Sequence, residues 1–149
     1  MEATKKKLNR RYLYSLYQRV KNSKNEDGKT MCCEEWTRNS EGFYSWYESQ
    51  VTEQGRKCKY CGLPENTTEY YGRLFRKGRR GLRLEVDRKH NSKGYSPENC
   101  VLACYPCNNA KSDVFSYEEF LQVGKTIGKV KKRTTYPYVG SSLLTKYPT

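Results

Sequence analysis

The chain has 149 residues, enough for one domain with an appendage, and only 35% of them are hydrophobic, a class that here includes 14 Tyr. So little aliphatic material excludes a large self-sufficient core and favours a metal or a partner subunit as a staple. A net charge of +13, with 13% aromatic residues interleaved among Lys and Arg, points to a polyanionic partner, nucleic acid before a membrane surface, and no apolar run approaches membrane-spanning length.

The opening stretch MEATKKKLNRRYLYSLY is basic but has neither the apolar segment nor the small-residue cleavage site of a secretory signal. A cytoplasmic, reducing location is expected. In residues 5–22, Leu8, Tyr12, Leu13, Leu16, Tyr17 and Val20 recur at helical spacing, with Lys and Arg on the other face. A loop containing NEDG follows. Cys32 and Cys33 are adjacent, so they cannot form a Cys-x-x-Cys knuckle and read as half-buried free thiols. Ser40 is the expected N-cap of a second helix that carries Phe43, Trp46, Tyr47 and Val51 and ends at Gly55. Residues 1–55 thus form an N-terminal helical region.

The expected core unit spans 56–115. It opens on the knuckle Cys58-Lys-Tyr60-Cys61 and ends just after a second knuckle, Cys104 to Cys107. Two such knuckles aim four thiolates at one tetrahedral zinc, each sulfur about 2.3 Å from the ion. An odd count of seven cysteines without an export signal argues against a disulfide framework. Between the knuckles, six of the eleven residues from Arg73 to Arg83 are Lys or Arg and none is acidic. This segment reads as a basic hairpin whose Arg76, Lys77, Arg79 and Arg80, together with Lys111, are candidate DNA-phosphate contacts.

Leu82, Leu84 and Val86 alternate with Arg83, Glu85 and Asp87. One strand face is therefore expected to be apolar while the other presents Asp87. After the turn NSKGYSPEN, the strand CVLA takes Cys100 into the core, and the residues NNAKSD after the second knuckle open a helix. In the last part, residues 116–149, Ser116 and Glu119 form a capping-box signature. Phe120, Leu121, Ile127 and Val130 lie along one side of the helix that follows, and the tail KKRTTYPYVGSSLLTKYPT has little periodicity.

Cys58, Cys61, Asp87, Asn99, Cys104, Cys107, Asn108 and Lys111 stand in the order of the HNH, or ββα-metal, nuclease pattern, and residues 58–113 resemble that family. The resemblance implies an α+β fold: a zinc-stapled treble-clef ββα-metal core with flanking helices. Arg88 stands where the family's first His acts as general base. The wording DRxxxxxGYSPxN followed by LACxxCNxxKS is similar to the PacI type of HNH restriction enzyme, upstream to about residue 43. In that type Arg also follows the Asp and a tyrosine initiates cleavage, which implies a homodimer reading a palindrome in double-stranded DNA and a role for Tyr60. The N-terminal zinc ribbon of the type requires two further Cys-x-x-Cys pairs that this chain lacks, so a target sequence does not carry over.

Phosphodiester hydrolysis needs charge neutralisation on the phosphate, an activated water and a protonated leaving oxygen. Asp87 and Asn108 are oxygen donors suited to a hard cation such as Mg²⁺. Arg88 cannot accept a proton and is expected to clamp the phosphate instead. The base is left open between His90, the only histidine and on the side of Arg88 if the strand continues, Tyr60, whose phenol would have to titrate well below its reference of about 10, and neither of them. Together these readings give a metal-dependent DNA endonuclease, restriction-like, with zinc as structural ion and Mg²⁺ or another divalent cation at the reaction. The alternatives are a phage or mobile-element HNH nuclease, and a zinc-stabilised nucleic-acid-binding module whose nuclease site is dead.

Overall fold

Three helices, an antiparallel pair of strands and two further helices follow one another along the residues that the computed structural model describes, 10–65 and 83–133. Helix α1 (Arg10–Lys21) forms where the apolar stripe was read, and Leu13, Leu16, Tyr17 and Val20 are its buried residues. Its Leu8 lies outside the described residues. A short helix α2 (Glu34–Arg38), not expected from the sequence, follows Cys33, with Glu34 and Glu35 at its N-terminal turn and Trp36 inward. Helix α3 (Ser40–Glu53) begins one residue before the reading allowed. Asn39, not Ser40, is the cap, its side chain accepting from the Glu41 N–H at 3.0 Å, because Asn39 is the residue in extended backbone conformation. Gly55 leaves the helix at φ +60, a left-handed value that costs glycine nothing.

The tyrosine-rich composition is how this chain builds a core from few aliphatic residues. Trp36, Phe43 and Tyr47 are completely buried, with the Trp36 and Phe43 rings edge to face at 5.2 Å. Burying each such ring contributes roughly 2–3 kcal/mol, and the phenols keep their polar end satisfied. Tyr17 donates to the Trp36 carbonyl at 2.9 Å, while Tyr12 and Tyr47 both donate to the Leu84 carbonyl, at 2.9 and 2.8 Å. Helices α1 and α3 are thereby fastened to the residue that leads into the first strand.

Strands β1 (Glu85–Arg88) and β2 (Cys100–Ala103) pair antiparallel, with Asp87 opposite Val101 and Arg88 opposite Cys100. Period-two alternation is present, but both faces of β1 are buried: Leu84 and Val86 on one, Glu85 and Asp87 on the other. The polar face is covered by α4 (Tyr105–Lys111), which packs on β1. That helix starts at the knuckle, with Cys104 as N-cap and Pro106 in its first turn, so NNAK closes it instead of opening it. Cys32 and Cys100 are buried free thiols and Cys33 is half-buried.

The capping box at the start of α5 (Tyr117–Arg133) forms in both directions, Ser116 N–H to Glu119 Oε2 at 2.8 Å and Glu119 N–H to Ser116 Oγ at 3.2 Å. Phe120 is fully buried and Leu121 and Ile127 pack partly against the core, whereas Val130 is 53% exposed and lies beyond the contact. Buried residues from Leu13 to Phe120 form one continuous cluster. Among the described residues no helix is long and apolar enough to cross a membrane.

Candidate functional site

The first knuckle turns at Gly62, which sits at φ +66, and closes with Gly62 N–H to the Cys58 carbonyl and Cys58 N–H to the Leu63 carbonyl, both 3.0 Å. Lys59 N–H bonds the Leu102 carbonyl at 3.0 Å, docking the knuckle on β2. Cys104 and Cys107 arrive from the end of β2 and the first turn of α4. The four Sγ atoms are buried and lie within 4.8 Å of one another, with Cys61 and Cys104 at 3.8 Å. A tetrahedron of sulfurs about 2.3 Å from a zinc has edges of about 3.8 Å, so the cluster fits that ion.

Beside the knuckle, Tyr60 donates its hydroxyl proton to Asp87 Oδ2. Lys111, from the last turn of α4, places its Nζ 3.5 Å from the same oxygen, 2.8 Å from the Arg88 carbonyl and 3.1 Å from Asn91 Oδ1. Both partners of Asp87 thus fall on Oδ2. Burial pushes the Asp87 carboxyl above the usual carboxylate range, against the opposing pull of Tyr60 and Lys111. Burial, and after it the Asp87 charge, drives the Tyr60 phenol well above its ordinary value. That is opposite to the direction a base would need. The rings of Tyr117 and Phe120 in α5 pack edge-on against Tyr60, fixing it over the carboxylate.

Lys111, expected on the DNA-facing surface, is 0% exposed. Its ammonium is held by the carboxylate and carbonyls that it organises, so it reaches no phosphate. Asn108, one turn earlier, donates its amide to Glu85 Oε2 at 3.0 Å, and Arg19 of α1 approaches the other carboxylate oxygen at 3.8 Å. Asn108 and Asp87 therefore project from adjoining elements, each held by its own buried partner.

The strand does not continue past Arg88, so the expected placing of His90 beside it along a strand does not hold. The chain turns instead, and Asn99 pins the turn: its Oδ1 accepts from the His90 N–H at 3.0 Å, and its Nδ2 donates to the carbonyls of His90 at 3.1 Å and Gly94 at 2.9 Å. With these bonds spent on backbone, Asn99 shapes the loop and is not free for the reacting atoms. Arg88 Nη1 donates to the carbonyls of Asn91 at 2.9 Å and Lys93 at 3.2 Å, and the guanidinium lies over the Tyr95 ring at 5.0 Å. That end of Arg88 is fixed to the loop, unlike the two-pronged phosphate clamp expected. His90 is exposed on the lip of a groove of about 680 Å³ between the 25–33 loop and the 89–99 loop, where Lys29, Lys89 and Lys93 also lie. Arg76, Lys77, Arg79 and Arg80 lie outside the described residues.

Two features of the site escaped the sequence reading. Glu85 was read as one of the polar positions of a strand, although its spacing of two from Asp87 was the signal that both would meet whatever covers that face. The pair Gly124 and Gly128 was a plainer one. A side chain at either would collide with the backbone of Tyr60 or Cys61, so α5 reaches the knuckle only because both are glycine.

Neither the family models nor the curated proteins compared with the chain match it. Among solved structures it is similar to the rare-cutting HNH restriction endonuclease PacI, at 30% identity and a TM-score of 0.62 over 89% of this chain and 87% of that one. A likeness over that share of the chain reaches well beyond residues 43–113, to which the sequence motifs had confined it. With the two knuckles closing on one metal-sized cluster, the antiparallel pair between them and the helix behind, this is a ββα-metal core, and the chain belongs to the HNH endonuclease family.

Proposed function

We propose that this protein is a divalent-cation-dependent DNA endonuclease of restriction type, with zinc at the four-cysteine cluster. The observation that carries the reading is that α4 packs on β1 and that Asn108 of the one and Asp87 of the other are two oxygen donors each held by its own buried partner, in a fold whose four-cysteine cluster fits zinc. PacI is an HNH restriction endonuclease, and its class of substrate comes to this chain as part of the proposal. So does assembly as a homodimer on double-stranded DNA.

Asp87, through the oxygen that Tyr60 and Lys111 leave uncontacted, and Asn108, through its amide oxygen, would hold the cation, Mg²⁺ being the physiological choice. When bound, such an ion supplies charge neutralisation at the scissile phosphate. Lys111 keeps Asp87 in place from behind and lowers the cost of burying it. Arg88 fixes the loop that carries His90, and the basic segment containing Arg76, Lys77, Arg79 and Arg80 grips the flanking phosphates. Two groups stand for the base. Tyr60 touches Asp87 but holds its proton there, and must first release it; His90 is open to solvent at the groove beside the site.

A second reading is favoured by one observation: Tyr60 spends its hydroxyl proton on Asp87 while Arg88 is tied to loop carbonyls, so neither is set to act on a water or a phosphate as it stands. On that reading the chain is a zinc-stabilised DNA-binding module. Incubation of the purified protein with supercoiled plasmid, with Mg²⁺ and with EDTA, separates the two. The nuclease reading expects nicked or linear DNA only with the cation, and retarded but intact plasmid under both conditions would leave the binding module.

A further inference from the structure

Glu85 is 2% exposed on β1, at a position flanked by Leu84 and Val86 and enclosed by α4. A buried carboxylate costs several kcal/mol unless its lone pairs are met, and an apolar side chain of similar size serves stability at least as well. Glu85 shares a strand face with Asp87, two residues on, and its Oε2 accepts from the Asn108 side-chain amide at 3.0 Å while Arg19 stands 3.8 Å from its Oε1. An ionised carboxylate only accepts hydrogen bonds. The Asn108 amide must therefore turn its NH₂ to Glu85, and because the amide is planar its oxygen is set on the opposite branch. With an apolar neighbour in place of Glu85, the two amide orientations would be nearly equivalent and the NH₂ would face the cation for part of the time.

We infer that Glu85 is a positioning residue, holding Asn108 in the one amide orientation that offers oxygen to the divalent cation. This rests on the reading of Asn108 as a cation ligand. The competing role is that Glu85 only pins α1 to the sheet through Arg19.

The test is a double-mutant cycle read by direct Mn²⁺ binding to the zinc-loaded protein without DNA, using calorimetry or the electron paramagnetic signal of free Mn²⁺. Glu85→Leu is expected to weaken Mn²⁺ binding about tenfold, the usual scale for an outer partner of a metal ligand, with zinc content unchanged. Glu85→Gln, whose terminal amide can meet Asn108 with its oxygen or with its NH₂, is expected to recover only part of that loss. In Glu85→Leu/Asn108→Ala the loss should equal that of Asn108→Ala alone, because a residue acting through Asn108 has nothing left to act on. Losses that add in the double variant, or Mn²⁺ binding in Glu85→Leu within twofold of wild type, would overturn the inference. If Asn108→Ala itself binds Mn²⁺ normally, it is the ligand reading that fails, and the two failures are distinct. Should Glu85→Leu not fold, the same cycle is run with Glu85→Gln, for which a small loss that vanishes in the Asn108→Ala background supports the inference and a loss that persists there overturns it.

Discussion

Gly128 lies against the Cys61 carbonyl so closely that a β-carbon built on it would stand 2.2 Å from that oxygen, and one on Gly124 would stand 2.6 Å from the Tyr60 β-carbon. The C-terminal helix is thus seated on the backbone of the first zinc knuckle, one turn apart at two points. Because the obstacle at Gly128 is backbone, it cannot swing aside. Gly128→Ala gains roughly 1 kcal/mol of helix propensity but is expected to lose more, about 2–3 kcal/mol, to overpacking. For a chain of this size the net loss corresponds to a fall in melting temperature of roughly 3–8 °C. Lys125→Ala, on the exposed face of the same helix, should leave it unchanged.

The cysteine cluster gives a prediction about metal content. One zinc per chain is expected by elemental analysis of folded protein, and Cys104→Ser should be largely unfolded, since structural zinc supplies on the order of 10 kcal/mol of folding free energy in small domains. Cys32→Ser is a control, as Cys32 stands outside the four-cysteine group. Well-folded protein with no zinc would contradict the assignment.

Lys111 separates structure from DNA binding. Lys111→Met removes a buried ammonium, leaving the Arg88 carbonyl without this donor and Asp87 with Tyr60 alone. A stability loss of about 3–5 kcal/mol is expected, measured by urea unfolding. Arg79→Ala/Arg80→Ala should do the reverse, leaving stability intact while DNA affinity falls and the slope of its logarithm against log salt drops by about 2. Equal effects of both changes on the salt slope would put Lys111 back on the DNA surface.

The choice of base rests on Tyr60→Phe and His90→Ala, compared for cutting rate and for zinc content. A dead Tyr60→Phe that is folded and zinc-loaded, beside an active His90→Ala, assigns the tyrosine; the opposite pattern assigns the histidine. A lost base is expected to cost about 10²–10⁴ in rate. If both variants cut at the wild-type rate, neither is the base.

Much of this was legible because it is local. The two knuckles, the CVLA strand, the Ser116–Glu119 box and the stripe of Leu13, Leu16, Tyr17 and Val20 each follow from spacing alone. What spacing does not encode is what covers a face. Glu85, Asp87 and Lys111 look like surface charge one at a time; they are buried because α4 returns over β1, pairing Glu85 with Asn108 and Lys111 with the Arg88 carbonyl, while the first knuckle sets Tyr60 on Asp87. The same limit explains His90 and Asn99. A strand ending at Arg88 and a turn tied by one Asn side chain are tertiary events, and no periodicity announces them. Helix α2 has five residues, too short to show a period.

The most direct test of the account is Asp87→Ala beside wild type on supercoiled plasmid with Mg²⁺, with DNA binding followed by gel retardation and folding by zinc content. Asp87 is the proposed cation ligand and organises Tyr60 and Lys111 around it. The account expects Asp87→Ala to lose stability, because the buried Lys111 ammonium loses its carboxylate, but to keep its zinc and retard the plasmid within a few-fold of wild type, yet leave it supercoiled. Cutting by Asp87→Ala at the wild-type rate would contradict it.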